Sequence, residues 1–281
     1  MTLLHLLAVN YFGSGEAGGL VRSLLGQERP DWQLTLIDNS ESAEETERLR
    51  ALTTDPRVDV VRAPGNLGYF RAVAWFTAQR ATDADWVAVC NVDLELAGPA
   101  FTARLGALDR PTSLLAPHIV ALPSGRPQNP YMAQRPTARR MLFRRLVLST
   151  RLSARAAQAV AARKRAIPTV QSEPAQQVYA PHGSFMLFPR AWSQVGGSFD
   201  HPPFLFGEEV TVGERARRLG LDVRYEPSLE VVHREHQATG QRSRRLFRAQ
   251  REAAAHAHRL ITGRVDEAGV SSARRGKSSA T

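Results

Sequence analysis

A chain of 281 residues, 43% of them hydrophobic, can bury a sizeable core in one large domain or two small ones, which excludes a disordered protein. The formal net charge of +10 is unevenly spread: Arg110 to Ser172 holds twelve Lys/Arg and no Asp or Glu, residues 240 to 281 hold ten basic against three acidic residues, and the remaining body is acidic. These basic blocks are rich in Arg, Ala and Leu instead of interleaving aromatics over a folded face, so no nucleic acid is expected as a partner.

Met1 to Phe12 is apolar, but it lacks a basic leader, is interrupted by His5 and is too short to span a bilayer, so a cytoplasmic protein without a transmembrane anchor is expected. The first hundred residues then alternate strand-like and helix-like runs: LLHLLAVNYF, GLVRSLLGQ, WQLTLID, AEETERLRALTT, VDVVRAP, YFRAVAWFTAQRAT and WVAVCNVD. This βαβαβαβ rhythm predicts a mostly parallel, Rossmann-like sheet flanked by helices. The single cysteine, Cys90, lies inside the last apolar run, which rules out a disulfide framework.

Polar residues gather where several of these strands end: Asn10, Asp38, Asn91 and Asp93. Ligands of open α/β sheets sit outside the carboxyl ends of the strands, so this edge is the expected site. A carboxylate there, Asp93, suits a hard divalent cation such as Mg²⁺ or Mn²⁺ set against a diphosphate; the competing reading of Asn91-Val-Asp93 is a turn cap. Gly13-Ser-Gly-Glu-Ala-Gly18 has the spacing of a dinucleotide fingerprint, with Asp38 about twenty residues further on. That motif supports an alternative, an NAD(P)-dependent oxidoreductase. Against it, Asn10-Tyr-Phe12 separates the strand from the first glycine, and Glu16 falls where a pyrophosphate needs positive potential.

From Leu114 the rhythm is expected to break into loops containing Pro117, Pro123, Pro127, Pro130 and Pro136. Thr137 to Arg165 then reads as one or two basic helices, with Met141, Leu142, Leu146, Leu148 and Leu152 beside Arg139, Arg140, Arg144, Arg145, Arg151 and Arg155. Such a segment is either an element that lies on an anionic membrane or a solvated helix packed on the body by its Leu stripe. Next come VYAPHGSFMLFPRAW, a helix beginning near Glu208 and a strand LDVRYEPSLEVVH, and the tail SSARRGKSSAT is expected to be disordered. Adjacent acids Glu208 and Glu209 at a helix start are either dipole caps or a general base with a neighbour that tunes it. His233 closes the last strand, where it is a surface residue or, beside Asp93, a metal ligand.

In order along the chain, VNY, LIDNS, GNLGYFRA, CNVD and HGSFMLFPRAWSQVGGSFDHPPFLFGEEVTVGERARRLG, followed by a strand ending in histidine, resemble the family-2 inverting glycosyltransferases of the GT-A fold. The likeness is to the rhamnosyltransferase-like and galactofuranosyltransferase-like branch, and it runs from about Leu3 to His233, skipping the basic segment. It implies a dTDP- or UDP-sugar donor and a glycan or lipid-linked glycan acceptor, as in a cell-envelope polysaccharide. It also implies that Asn10, Asp38, Asn66 and Asn91 line the donor site, that Asp93 and His233 bind Mn²⁺ or Mg²⁺, and that Glu209 is the base with Glu208 in support. The sequence departs from the family at Asn91, in place of the first acid of D-x-D, at Glu209 for aspartate, at Thr211 for the second aspartate of E-D-x-D and at Val73 for asparagine. Those departures raise a further alternative, an inactive scaffold of the same fold. The expected organisation is a nucleotide-sugar half over 1–110, a loop and basic helical segment over 111–175, an acceptor half over 176–239, and a basic helix with a tail over 240–281.

Overall fold

A computed structural model describes residues 2–156, 173–234 and 244–265. Its elements in chain order are β1 (Thr2–Asn10), α1 (Ser14–Leu25), β2 (Trp32–Asp38), α2 (Ala43–Arg50), β3 (Val58–Arg62), α3 (Tyr69–Gln79), β4 (Ala84–Asn91), β5 (Leu94–Leu96), α4 (Phe101–Ala107), β6 (Ser113–Leu122), β7 (Arg126–Pro127), α5 (Ala138–Val147), β8 (Gln176–Gln177), β9 (Phe185–Pro189), α6 (Arg190–Gln194), α7 (Glu208–Leu219), β10 (Asp222–Arg234) and α8 (Arg244–Ile261). The tail expected to be disordered, and the part of the basic segment from 157 to 172, lie outside the described residues. No described helix is long and apolar enough to cross a membrane.

One mixed sheet runs in the order β3-β2-β1-β4-β9-β6-β10-β5, with β7 on β6 and β8 on β10. The first four strands are parallel, as are β6 and β10, whereas β9 runs antiparallel between β4 and β6. Both faces of the sheet are buried, which explains why strands such as LLHLLAV read as continuous apolar runs. Side chains alternate between the faces. Leu4, Leu6 and Ala8 of β1 join Leu20 and Leu24 of α1 and Phe101 of α4 on one face, while Leu7 joins Phe70, Val73 and Phe76 of α3 on the other. In β9, Phe185 and Leu187 face the first layer and Met186 and Phe188 the second.

The expectation of loops from Leu114 is corrected. Ser113 to Leu122 is a central strand, so the segment 111–175 contributes to the sheet itself. The proline that suggested a loop is accommodated locally: Pro117 lacks an amide to donate, and the register of β10 slips between Glu226 and Glu230 directly beyond its partner position. The Pro117 carbonyl accepts from Asn129 Nδ2 at 2.9 Å. Asn129 Oδ1 in turn accepts the His182 amide at 2.9 Å, and an isolated bridge pairs Met132 with Ala180. The excursion that leaves after β7 is thus stitched to the start of β9.

The loop before α3 meets the loop before α7 at minimal clearance. Gly68 has φ +86°, and a Cβ there would stand 2.0 Å from the Phe204 carbonyl oxygen. Its own carbonyl accepts from Asn39 Nδ2 at 2.8 Å, so the backbone is held on the other side as well. Gly68→Ala is expected to cost about 3 kcal/mol, because left-handed strain and overpacking add. Thermal unfolding would show a Tm lower by roughly 8 °C; an unchanged Tm would mean that the two loops can part freely.

Candidate active site

The carboxyl ends of β1, β2 and β4 and the amino end of antiparallel β9 share one edge of the sheet, because reversing a strand exchanges its ends. The edge gathers residues from Asn10 to His233. At one end, antiparallel pairing of β5 with β10 sets His233 opposite Leu94, and the Arg234 amide donates to the Asp93 carbonyl at 2.9 Å. This register brings His233 Nε2 to 3.3 Å from Asp93 Oδ1.

The chemistry of that pair fits a cation. Asp93 Oδ1 is buried without a hydrogen-bond partner, so its 3.3 Å approach to His233 is not aligned as a hydrogen bond. His233 Nδ1 lies 2.8 Å from Gln128 Oε1 and donates to it, which leaves the Nε2 lone pair facing Asp93. An orphaned carboxylate oxygen beside an imidazole lone pair is a donor set for a divalent metal. Among the described residues no group of three or more His, Cys, Asp or Glu could hold an ion, so a cation here would keep positions open for other oxygens.

At the other end, α7 starts with Glu208 and Glu209 behind Gly207, whose φ is +87°. Glu208 Oε1 accepts the Phe206 amide at 2.9 Å. Burial and the charge of Glu209 push the Glu208 carboxyl up to about 8. Burial also raises Glu209, but its own amide, the Arg144 charge and the Gly183 amide oppose the rise. Both acids accept backbone amides, but only Glu209 also faces a cation, Arg144, so the shared negative charge settles there and Glu208, pushed up to about 8, stays protonated at neutral pH. Thr211, which replaces a family acid, is fully buried, with Oγ1 3.0 Å from His201 Nδ1. His201 Nε2 donates to the Phe206 carbonyl, so this threonine braces the loop that carries Glu208.

This splitting sets a pH dependence. A carboxyl raised in the fold stabilises it fully below the unfolded value, near 4.5, and that contribution is lost as pH rises through about 8. Glu208→Gln keeps the acceptor oxygen and removes the titration. We expect its Tm to match the parent near pH 4.5 and to exceed it at alkaline pH by roughly 5 °C. Parallel Tm curves over this range would contradict the assignment.

Tyr69 joins the two ends. Its hydroxyl donates to the Gly183 carbonyl at 2.8 Å, and burial together with Cys90, Glu208, Asp93 and Glu209 raises its phenol well above the ordinary value. His182 lies between: its ring is 5.0 Å from Tyr131 and 6.5 Å from His233, centroid to centroid. The Ser184 amide donates to His182 Nδ1 at 3.2 Å, and burial lowers the ring to about 4, so it is neutral with its proton on Nε2. Tyr69, His182, Tyr131 and Gln128 were not singled out from sequence; only His182, next to a glycine at the start of an apolar strand, carried a signal that could have marked it.

The remaining expected residues are at the same edge in different states. Asn91 ends β4 half-exposed, and Asn66 Oδ1 accepts the Gly68 amide at 3.1 Å. Asn10 and Asp38 are fully buried and bonded within the protein. Asn10 Nδ2 donates to Asp38 Oδ1 and Glu45 Oε1, each at 3.1 Å, and Asp38 Oδ2 accepts from Thr46 at 2.6 Å. Glu45 caps α1, accepting the Ser14 amide and hydroxyl, each at 2.8 Å. A carboxylate therefore occupies the helix N-terminus that a dinucleotide pyrophosphate would need, and Gly15 and Gly18 lie inside α1 instead of in a phosphate loop. The oxidoreductase alternative is corrected on this ground.

Comparison with known proteins shows the family and the fold. The family model described as Glycosyl transferase family 2 matches residues 13–167. No curated protein matches the sequence. Among solved structures, the chain is similar to GalNAc-T7 with UDP, GalNAc and Mn²⁺ (TM-score 0.58, 16% identity), over 84% of this chain and 44% of that one. It is similar to the mannosyltransferase PcManGT from Pyrobaculum calidifontis in complex with GDP-Man and Mn²⁺ (TM-score 0.52, 15% identity), over 92% of this chain and 63% of that one. It is also similar to S. aureus TarS 1-349 in complex with UDP-GlcNAc (TM-score 0.58, 9% identity), over 93% of this chain and 72% of that one. The chain thus spans less than two thirds of the first two of these proteins, and at such identities the likeness concerns the fold.

Proposed function

The chain belongs to glycosyl transferase family 2, and from that premise we propose that it moves a sugar from a nucleoside-diphosphate donor to a glycan acceptor, inverting the anomeric carbon. One observation carries the reading: the Asp93–His233 pair and the Glu208–Glu209 pair sit on the same sheet edge, linked through Tyr69 and Gly183.

Inverting transfer is a direct displacement, so it needs a base on one side of the sugar and charge stabilisation on the other. Glu209 takes the proton of the acceptor hydroxyl as that oxygen bonds to the anomeric carbon. The bond to the diphosphate breaks on the opposite face, and its electron pair leaves with the diphosphate. Glu208, kept protonated, limits the pair to one negative charge. Asp93 and His233 would hold a divalent cation, Mn²⁺ or Mg²⁺, which neutralises the leaving diphosphate when bound. Asn91 and Asn66 line the donor side, while Asn10 and Asp38 shape it from behind through Glu45. The neutral His182 offers an Nε2–H donor beside the same site.

The donor is a dTDP- or UDP-sugar and the enzyme stands nearest the rhamnosyl and galactofuranosyl branch, a reading supported by VNY, LIDNS and GNLGYFRA. The acceptor is a lipid-linked envelope glycan met at the inner face of the membrane, a reading motivated by the acid-free basic segment. Calorimetry with UDP, dTDP, GDP and NAD, each with and without Mn²⁺, tests the proposal. One nucleoside diphosphate should bind with Mn²⁺, and chelation should abolish that binding. Binding of NAD, or of no diphosphate in the presence of Mn²⁺, would sink it.

A further inference from the structure

The basic segment presents a face that the fold leaves uncovered. At 3.6 residues per turn, Leu142, Phe143 and Leu146 share one arc of α5 and Met141 points the opposite way. Met141 is buried against Val210 of α7 and Ala257, Leu260 and Ile261 of α8. The Leu stripe is therefore not what packs the helix on the body, contrary to the alternative of a solvated helix held by that stripe. Leu142 is 42% exposed, Phe143 67%, Leu146 58% and, just beyond the helix, Leu152 81%. Exposed Arg139 lies within this arc, and exposed Arg140 and Arg145 flank it. The neighbouring α8 adds exposed Arg244, Arg245, Arg248 and Arg251, and Arg151 stacks on its Phe247 at 5.6 Å.

An arc of exposed apolar side chains with arginines beside and among them, in a stretch of sequence without one acid, has the physics of an interfacial helix: apolar side chains enter the acyl boundary while long guanidinium side chains reach back to anionic headgroups. We propose that α5 docks the protein on an anionic bilayer surface, with Leu142, Phe143 and Leu146 inserted. A nucleic acid would match the arginines but would leave this apolar arc in water. A second copy of the chain would set like-charged faces against each other. The docking goes beyond the transfer reading and stands without it. One consequence does rest on that reading: Arg144, on the body side of α5, is close enough to oppose the rise of Glu209, so the docked helix keeps the base a helix diameter, roughly 10 Å, from the membrane plane, within reach of an acceptor carried on lipid.

The test is co-sedimentation of the full chain with vesicles of phosphatidylcholine alone or mixed with phosphatidylglycerol, at low and high salt. Binding is expected only with the anionic lipid, weakened by salt. The variant Leu142→Ser/Phe143→Ser/Leu146→Ser should partition on the order of 100-fold less. Arg139→Gln/Arg145→Gln should partition about 25-fold less, at roughly fivefold per charge. Both variants should retain the parent's Mn²⁺-dependent nucleoside-diphosphate binding, which separates failure of the docking from failure of the transferase reading. Equal binding to neutral vesicles would overturn the proposal, as would parental binding by the serine variant. A serine variant that loses a dimer in sedimentation velocity but keeps vesicle binding would assign the face to a second copy and overturn it too.

Discussion

Glu209→Gln is expected to lower kcat by about 10³-fold while leaving nucleoside-diphosphate binding intact, since a positioned general base contributes roughly 10²–10⁴-fold. The amide keeps the size and the acceptor oxygen of the side chain, and the Gly183 amide and Arg144 would still face it. Only the proton acceptor is removed. Gly183→Ala gives a graded version of the same loss: a Cβ there would stand 3.0 Å from Glu209 Oε1, so the carboxylate must give way without losing its charge. Because a misplacement of about 1 Å can cost ~100-fold, its effect should be smaller than that of the glutamine variant. Steady-state rates for both variants, with donor binding measured in parallel, check the order. A Glu209→Gln enzyme with parental kcat would remove Glu209 from the chemistry and return attention to Glu208.

Asp93→Asn should act on the other reactant. Its buried Oδ1 lacks a partner and faces the lone pair of His233, so the variant keeps the shape and loses the charge that a cation needs. Metal stabilisation of a leaving diphosphate amounts to several kcal/mol, or about 10³-fold in kcat/KM. The diagnostic readout is calorimetric: the Mn²⁺ dependence of nucleoside-diphosphate binding should disappear, whereas Glu209→Gln preserves it. If Asp93→Asn binds the nucleotide with undiminished Mn²⁺ dependence, the cation is held elsewhere. Gln128→Ala should weaken metal binding by about 10–100-fold, since it releases the His233 tautomer without touching the ion.

Much of this was legible in the sequence. The alternation from LLHLLAV to WVAVCNV marks strands buried on both faces, and their polar ends mark the edge at whose far end Asp93 faces His233. What escaped were features that depend on pairing across the chain. Ser113 to Leu122 resembled a loop because Pro117 breaks strands in isolation; only the slipped register of β10 shows how the sheet tolerates it. GSGEAG resembled a phosphate loop because spacing does not reveal that Glu45, some thirty residues away, caps the same helix. Tyr69 gains its place only because β9 runs antiparallel and brings Gly183 to the edge. Nothing local announces any of these.

The stitch at the base of the excursion has a consequence for how such a protein can change. Asn129 ties its outgoing arm to the Pro117 carbonyl and the His182 amide, and Met132 pairs with Ala180 on the return. The sequence between these ties, from about Thr137 to Glu173, is closed at its root by bonds that do not depend on what it contains. Doubling the length of such a closed segment costs only about 0.6 kcal/mol. The segment can therefore be lengthened, shortened or replaced to suit a new surface at little cost to the sheet, provided that Met141 keeps its place against α7 and α8 and Arg144 its place beside Glu209.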